Sequence, residues 1–355
     1  MRHKARKGLP GLVLAGLLMI WAAPLAAQDW ITPEACRVTR EDADQASLPA
    51  DLEPKVNVEA AAMAYGTGRL WKITAPEGKV SHIWASFHSS DPLILDLPPQ
   101  VTLFVQQAQV LVLESDPRAA DRQELEERSL QAGVWLAPQD IPWDKPWLTG
   151  DLRAWATARS LAIFHDEDAF AALTDAGLAA YLLLDPCEDF AAGALPVQDQ
   201  RLLLHAHEAG VPVQGLEDWD AFLAEVGQPE QRETAQAIAL VQTSSLNPDG
   251  FTSARASAFR LYREGRLGAM MIWDRIYLQA IFGKDEAARL SDLARGYMIG
   301  ERNQRFLKAM RSSLDAGGAV VAVGAFHLPG TDGLLSGLAA LGYRVERVPV
   351  AGEAP

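Results

Sequence analysis

Short apolar segments with strand-like patterns occur in several parts of the chain. Apolar and polar residues alternate in "RLWKIT", and "APEGKV" has the composition of a turn. With "SHIWASF" as the second strand, this predicts a hairpin over residues 69–87. Compact apolar runs predict buried strands in "VLVLE" at 110–114, "VPVQGLE" at 211–217 and "AVVAVGAFH" at 319–327. "RVERVPV" at 344–350 predicts a closing strand.

Helical patterns fill most of the remaining chain. The segment "DLPPQVTLFVQQAQ" predicts a helix between two of these strands, and the order strand, helix, strand favours parallel pairing. Residues 218–316 are helical in pattern nearly throughout. We therefore predict an α/β fold with a central mixed, largely parallel sheet flanked by helices. One domain is expected over residues 66–355, with a helical insertion at about 218–316, after an irregular lead-in at 28–65.

The first 27 residues have the pattern of a signal peptide. The basic segment "MRHKARKG" precedes the apolar stretch "LVLAGLLMIWAA", and "PLAAQD" offers small residues for cleavage near Ala27. A retained membrane anchor is the alternative. No second apolar stretch is long enough to span a bilayer, so we expect a periplasmic or secreted protein with no stable membrane span after cleavage.

Acidic residues dominate the charge of the chain. There are 32 Lys and Arg residues and 46 Asp and Glu residues. Four of the basic residues lie in the signal segment, so the mature chain has a net charge of about −18. This charge disfavours binding of nucleic acid and of anionic lipid.

The chain contains two cysteines, Cys36 and Cys187. In the oxidising compartment that a signal peptide implies, they are candidates for a disulfide that ties the lead-in to the middle of the chain. Two unpaired, buried thiols are the alternative.

Four of the predicted strands end at an imidazole or a carboxylate. His88 and His327 each follow a strand directly, and strands end at Glu114 and Glu217. Functional groups collect at the carboxyl ends of strands in open α/β sheets, so neighbouring strands would bring all four to one rim. Imidazole and carboxylate ligands suit Zn, Mn, Co or Fe, and such an ion acidifies water and polarises a carbonyl. The alternative is that each histidine is an ordinary turn residue with a satisfied hydrogen bond.

Further polar or special residues are candidates for the same rim. Gly324 lies three residues before His327, where glycine allows close backbone approach to a ligand or marks a simple bulge. Arg302 and Asn303 lie on the helix before the last core strand; a buried Arg there would clamp a carboxylate or an anion, and a surface salt bridge is the alternative. Asp199 either caps its helix or reaches into the site. The sequence has no HExxH, G-x-S-x-G, Walker or G-x-G-x-x-G motif.

Three ordered blocks of the sequence resemble the TraB/GumN family, which is related to the Tiki metalloproteases and, more distantly, to the erythromycin-esterase and ChaN-like proteins. The blocks are "HIWASFHSSDPLILDLPPQVTLFVQQAQVLVLESD", "VQDQRLLLHAHEAGVPVQGLED" and "ERNQRFLKAMRSSLDAGGAVVAVGAFHLPGTDGLLSGLAALGYRVERV". The family pattern has a strand leading into Gly-x-x-His and an "LP" helix, then an Asp before a helix and "GLE" after a strand. An "RN" helix, a second Gly-x-x-His and "LPG" follow. The resemblance spans roughly Arg69 to Val348.

The resemblance also implies a site. The positions that match the family pattern are His88, His327, Glu114, Glu217, Asp199 and Arg302. The family fold implies two similar halves, each with a strand-to-His motif at a shared cleft, and Tiki-like relatives are divalent-metal-dependent peptidases. One position departs from the pattern, since Ala85 stands where the family has Gly, and its methyl group is expected to crowd the loop or a bound metal.

These observations lead to the hypothesis of a hydrolase that acts on a peptide or small-molecule substrate with a divalent metal ion (Mn, Co or Zn). His88, Glu114 and His327 would bind the metal. Glu114 or Glu217 would act as general base, and Arg302 would steady the developing oxyanion. A non-catalytic protein that sequesters a peptide or cofactor in the same cleft is a second hypothesis, and a degenerate enzyme kept as a scaffold is a third. The sequence does not predict the oligomeric state.

Overall fold

A mixed six-stranded sheet forms the centre of the structure, a computed structural model that describes residues 30–115, 145–164, 166, 169–187 and 197–353. The strands are β1 (Leu70–Thr74), β2 (Val80–Ser86), β3 (Val110–Ser115), β4 (Val213–Glu217), β5 (Ala319–Gly324) and β6 (Arg344–Arg347). Their order is β4-β3-β5-β2-β1-β6. Strands β4, β3, β5 and β2 are parallel, whereas β1 pairs antiparallel with both β2 and β6. The predicted α/β class and the largely parallel sheet are confirmed.

Helices pack around the sheet and fill the middle of the sequence. They are α1 (Pro33–Cys36), α2 (Arg40–Gln45), α3 (Glu53–Ala61), α4 (Pro92–Leu95), α5 (Pro99–Gln106), α6 (Gly150–Phe164), α7 (Asp175–Leu182), α8 (Gln198–Glu208), α9 (Trp219–Val226), α10 (Arg232–Ser244), α11 (Phe251–Arg263), α12 (Leu267–Phe282), α13 (Lys284–Arg295), α14 (Arg302–Ala316) and α15 (Leu334–Ala340). Short 3₁₀ turns occur at Ala169–Ala172, Pro229–Gln231 and Ala325–His327, and a π-helical turn at Gly296–Glu301 joins α13 to α14.

The composition of the central strands explains their position. Strands β3 and β5 are apolar over several consecutive residues and buried along nearly their whole length, as expected for strands covered on both faces. Val321 and Leu111 are fully buried in the core cluster around the sheet. Each such side chain contributes about 1.5–3 kcal/mol through burial. A second core cluster lies among the middle helices and includes Phe170 and Ile238.

The register of the parallel strands places their carboxyl ends at one edge. Ser86 of β2 is opposite Gly324 of β5, and Ser115 of β3 is opposite Glu217 of β4. Strand β5, close to the end of the sequence, lies between β2 and β3, so these two strands are parallel without being neighbours. The predicted hairpin of β1 and β2 is confirmed by their antiparallel register from Leu70 opposite Trp84 to Thr74 opposite Val80.

The lead-in is more ordered than the sequence analysis expected. Within residues 30–65, Thr32 and Thr39 are the N-cap residues of helices α1 and α2, and their side chains accept hydrogen bonds from the first-turn backbone. Helix α3 follows. Cys36 at the end of α1 forms a disulfide with Cys187, with Cα atoms 5.4 Å apart, so the predicted pair is confirmed. The predicted signal segment, residues 1–27, lies outside the described residues. Among the helices that the structure describes, none has the length and apolar character needed to cross a membrane.

Candidate functional site

The predicted strand-end residues meet at the carboxyl edge of the sheet. Glu114 is the penultimate residue of β3, and Glu217 is the last residue of β4. His88 lies two residues beyond β2, and His327 ends a 3₁₀ turn that follows β5. Strand β5 therefore stops at Gly324, three residues earlier than the sequence pattern suggested. The structure brings these side chains together from four different strands.

Glu114 contacts both motif histidines. Its Oε1 atom lies 3.8 Å from Nε2 of His88 and 3.6 Å from Nε2 of His327. The same oxygen accepts a hydrogen bond from the backbone N–H of Gly324. Burial alone would raise the pKa of Glu114, but His327, His88, Arg302 and the Gly324 amide outweigh it and lower the pKa to about 2. The carboxylate is therefore ionised at neutral pH.

Arg302 joins the two buried glutamates. Its Nη2 atom donates to Oε2 of Glu114 at 3.2 Å, and its Nε atom donates to Oε1 of Glu217 at 2.9 Å. The guanidinium group also lies between the rings of Phe222 and Phe306, 5.2 and 5.0 Å from their centroids. Burial raises the pKa of Glu217, and Arg302 opposes that shift. Arg302 is thus buried and does not form a surface salt bridge; its partners are two carboxylates of the protein itself.

Asn303 fixes the orientation of His327. The side-chain Nδ2 of Asn303 donates to the carbonyl oxygens of His327 and Asp332, at 3.2 and 2.9 Å. Its Oδ1 atom therefore faces Nδ1 of His327, at 2.6 Å, and that nitrogen carries the ring proton. The bare Nε2 atom consequently points towards Glu114. Burial lowers the pKa of His327 to about 4, although Glu114 opposes the shift.

His88 occupies a more open position than His327. Its side chain is 53% exposed, against 4% for His327. Nε2 of His88 also lies 3.4 Å from Oδ2 of Asp199, in the first turn of α8. Burial raises the pKa of Asp199, and His88 opposes that effect. Asp199 therefore reaches into the site and contacts its more accessible histidine.

Gln198 is a supporting residue that the sequence analysis missed. Its Oε1 atom accepts hydrogen bonds from the indole N–H of Trp84 at 3.0 Å and from the backbone N–H of Phe87 at 3.2 Å. Its Nε2 donates to the carbonyl of Ile94 at 2.6 Å. These bonds tie the start of α8 to the loop that carries His88. A glutamine in the first turn of a helix is usually exposed, so the sequence held no signal for this role.

Gly324 lies against the reactive side chains. A Cβ atom built there would be 2.9 Å from Oε1 of Glu114 and 3.4 Å from Nε2 of His88. Its φ of −51° is open to any residue, so the glycine is required for close approach and not for its backbone angle. The residue opposite it in the register is Ser86, and Ala85 packs in the core around the sheet. The expectation that the methyl group of Ala85 crowds the site therefore finds no support in the register.

A cavity of about 410 Å³ adjoins these residues. Its wall includes His88, Glu114, Arg302 and His327, together with apolar side chains such as Met298. Helices α12 and α13 add four polar side chains that the sequence analysis did not single out. These are Asp274, Tyr277, Ser291 and Arg295.

The site contains side chains of the types that bind divalent metal ions. His88, His327, Glu114 and Asp199 offer two imidazole nitrogens and two carboxylate oxygens, and the contacts between them measure 3.4 to 3.8 Å. The edge of a tetrahedral zinc site with bonds near 2.1 Å is about 3.4 Å. The contacts run in series, from Asp199 to His88 to Glu114 to His327. Within the described parts of the chain, no three His, Cys, Asp or Glu side chains form a ready-made metal cluster.

The fold and the site define an α/β protein with a cavity at the carboxyl edge of its sheet, lined by two histidines and a buried Glu–Arg pair. The family model for TraB/PrgY/gumN matches residues 69–347, most of the chain. The chain therefore belongs to the TraB/PrgY/gumN family, as its three sequence blocks indicated. Comparison with curated proteins and with solved structures found no match.

Proposed function

We propose that this protein is an exported hydrolase that cleaves peptides with the help of a divalent metal ion. One observation carries the proposal: Glu114 contacts the imidazoles of both His88 and His327 in the wall of the cavity. The unprotonated Nε2 of His327 and the ionised carboxylate of Glu114 are both hydrogen-bond acceptors, and they face each other with no donor between them. A cation bound between the two would make this contact favourable.

His88, Glu114 and His327 are the residues that would hold the ion, with Asp199 as a further oxygen donor next to His88. When bound, Mn, Co or Zn supplies an activated water near neutral pH and polarises a carbonyl. Glu114 keeps a free lone pair on each oxygen although Arg302 and the Gly324 amide occupy others. Asn303 presents His327 in the required tautomer, a supporting contact typical of metal-binding histidines.

Arg302 contributes positive charge at the cavity wall. In the proposed reaction it stabilises the negative charge that develops on the scissile carbonyl oxygen. Glu217 holds the guanidinium group in place and contributes no atom to the cavity wall, so we assign it a positioning role. Glu114 is then the remaining candidate for proton transfer among the two glutamates.

An oxidising compartment is supported by the Cys36–Cys187 disulfide and agrees with the signal-peptide pattern of residues 1–27. A peptide substrate agrees with a cavity that combines apolar walls with a few charged groups.

Metal content and cleavage test the proposal together. Purified mature protein is dialysed against Mn, Co or Zn, its metal content is measured, and a defined peptide mixture is analysed by mass spectrometry. We expect close to one ion per chain and metal-dependent cleavage, with both lost in His88→Ala and in His327→Ala. His207→Ala is the matched control, because His207 is an exposed residue of α8. Cleavage that persists unchanged in both motif variants would refute the proposal.

A non-catalytic peptide-binding protein is the second candidate. It is favoured by the engagement of both oxygens of Glu114 with Arg302 and Gly324, and by the absence of a ready-made metal cluster in the described residues. In that case the protein stays metal-free, binds peptides, and releases them with unchanged mass.

A further inference from the structure

The helical wall of the cavity carries a carboxylate with no hydrogen-bond or ion-pair partner among the described residues. Asp274 of α12 lines the cavity and makes no hydrogen bond or ion pair with any residue in the described ranges. It lies outside the group of residues that surrounds Glu114. Buried or partly buried carboxylates are normally paired, so a cavity-facing one without a partner indicates a ligand that supplies the partner.

Arg295 does not fill that role. Its guanidinium group lines the same cavity, and its Nη2 atom contacts Sδ of Met271 at 3.7 Å instead of a carboxylate. Asp274 feels its charge, but burial outweighs this attraction and raises the pKa of Asp274 to about 6. The positive charge of Arg295 therefore does not fully offset the cost of burying the Asp274 carboxylate.

An aromatic ring lies one helical turn from Asp274. Tyr277 lines the cavity, and its hydroxyl group donates to the carbonyl of Ser244 at 2.9 Å, which anchors the ring. Residues three apart on a helix share a face. A carboxylate beside an anchored aromatic ring is a combination that binds ammonium groups, through an ion pair and a cation–π contact.

The charge around the cavity favours a cationic guest. Two acidic and two basic side chains line it: Glu114, Asp274, Arg295 and Arg302. Glu217 and Asp199 lie directly against this set, on Arg302 and His88, and add negative charge. In the metal-free protein, an anionic guest would meet this excess of negative charge, whereas a cationic one is attracted by it.

We propose that Asp274 and Tyr277 form a subsite for a primary ammonium group of the peptide that occupies the cavity. The inference deepens the proposed function, since it names the substrate class as peptides with a free amino terminus or a lysine side chain near the cleaved bond. The two sources share one chemistry, and binding measurements separate them.

The test measures binding without turnover. Titration calorimetry in EDTA uses Ala-Leu-Ala, its N-acetylated form, and N-acetyl-Ala-Lys-Ala, each with an amidated carboxyl end. We expect the free amino terminus or the lysine to strengthen binding roughly tenfold or more over the neutral peptide, as a charge-assisted hydrogen bond does. The peptide whose affinity exceeds that of the neutral peptide identifies the source of the ammonium group, either the amino terminus or the lysine side chain.

Variants assign the effect to the carboxylate. Asp274→Asn should abolish the preference for cationic peptides while leaving the affinity for the neutral peptide within about twofold. Asp285→Asn, an exposed position on α13, is the matched control and should keep the preference. Equal binding of all three peptides by the wild-type protein, or no binding of any of them at millimolar concentration, overturns the inference.

The outcomes for the subsite and for the hydrolase are separable. Ammonium selectivity without cleavage at any metal concentration refutes the hydrolase and leaves the subsite standing. Metal-dependent cleavage without ammonium selectivity supports the hydrolase and refutes the subsite.

Discussion

The Nδ1 atom of His327 lies 2.6 Å from the Oδ1 atom of Asn303, and this contact determines which ring nitrogen faces the cavity. The neighbouring residue, Arg302, holds Glu114 on the other side of the same histidine. Two consecutive residues at the start of α14 thus set the orientation of the His327 imidazole and the position of the Glu114 carboxylate.

Asn303→Ala should release the ring of His327. We expect a 10- to 100-fold loss of peptide cleavage or of metal affinity, since supporting contacts of this kind have that effect. Nitrogen chemical shifts of the ring check the cause, because the wild type should show protonated Nδ1 and bare Nε2. Asn303→Asp keeps the accepting oxygen and should retain the tautomer. An unchanged ring tautomer in the alanine variant would argue against this role.

Arg302→Met should destabilise the protein strongly. Removing the cation leaves Glu114 and Glu217 as unpaired, buried carboxylates, which costs about 3–5 kcal/mol in the free energy of unfolding. Arg302→Lys should lower the free energy of unfolding by a smaller amount than Arg302→Met. It should still be less stable than the wild type, because one ammonium group does not reproduce the forked geometry of the guanidinium group. Urea denaturation measures both. Arg305→Met, which removes a half-exposed ion pair with Glu225, serves as control and should cost no more than about 1 kcal/mol.

Gly324→Ala should damage the site more than the fold. The added methyl group would lie 2.9 Å from Oε1 of Glu114, so the carboxylate must shift, while the backbone angle tolerates alanine. We expect metal affinity and cleavage to fall at least tenfold with a small change in melting temperature. Ala85→Gly, at the matching position of the first motif, should leave activity unchanged and cost about 0.5–1 kcal/mol of stability. A gain of activity in that variant would show that Ala85 does crowd the site.

Replacing both cysteines with serine should lower the free energy of unfolding by about 2–5 kcal/mol. The disulfide closes a loop across a sequence separation of 151 residues, and such a long loop restricts the unfolded chain strongly. It also holds α1 against the helical cluster, where Trp30 donates to the carbonyl of Leu246 at 2.8 Å. Urea denaturation with and without reductant gives the measurement; equal stabilities would mean that these other contacts suffice.

Asp274→Asn should stabilise the protein at neutral pH. The pKa of Asp274 is about 6 in the folded state against a normal value of 3.8, so the folded protein binds this proton more tightly than the unfolded chain. Stability contributed by this group is present below pH 4, falls as the pH rises to about 6, and stays lower above it. The variant should therefore gain on the order of 1–2 kcal/mol at pH 7.5 and little at pH 4. Thermal unfolding at both pH values, compared with Asp285→Asn, checks the sign.

Two of the interior strands were predictable because each is a short apolar run bounded by turn residues. "VLVLE" and "AVVAVG" became β3 and β5, two neighbouring interior strands. Glu114 at the end of the first run and His327 after the second lie at the same edge of the sheet. The order of the strands was not predictable, because pairing of β5 between β2 and β3 is decided by packing over more than two hundred residues of sequence. The short helices α1 and α2 are indicated in the sequence by their N-cap residues, Thr32 and Thr39.

The residues that helices contribute to the site could not be predicted from the sequence. Asp274, Tyr277 and Arg295 look like ordinary residues of amphipathic helices, and only the packing of α12 and α13 turns them towards the cavity. Gln198 is similar, since its burial follows from the contact between α8 and the end of β2. Residues at strand ends are identified by local pattern, whereas cavity walls depend on tertiary structure.

The central place of β5 has a consequence for biosynthesis. A ribosome releases the chain from its amino terminus, so β2 and β3 leave the exit tunnel long before Val320 and its neighbours, which must pair with both of them. No nascent fragment that lacks the last forty or so residues contains the second histidine motif or a continuous sheet. The two halves of the candidate site therefore come together only after β5 has been synthesised and has paired with β2 and β3.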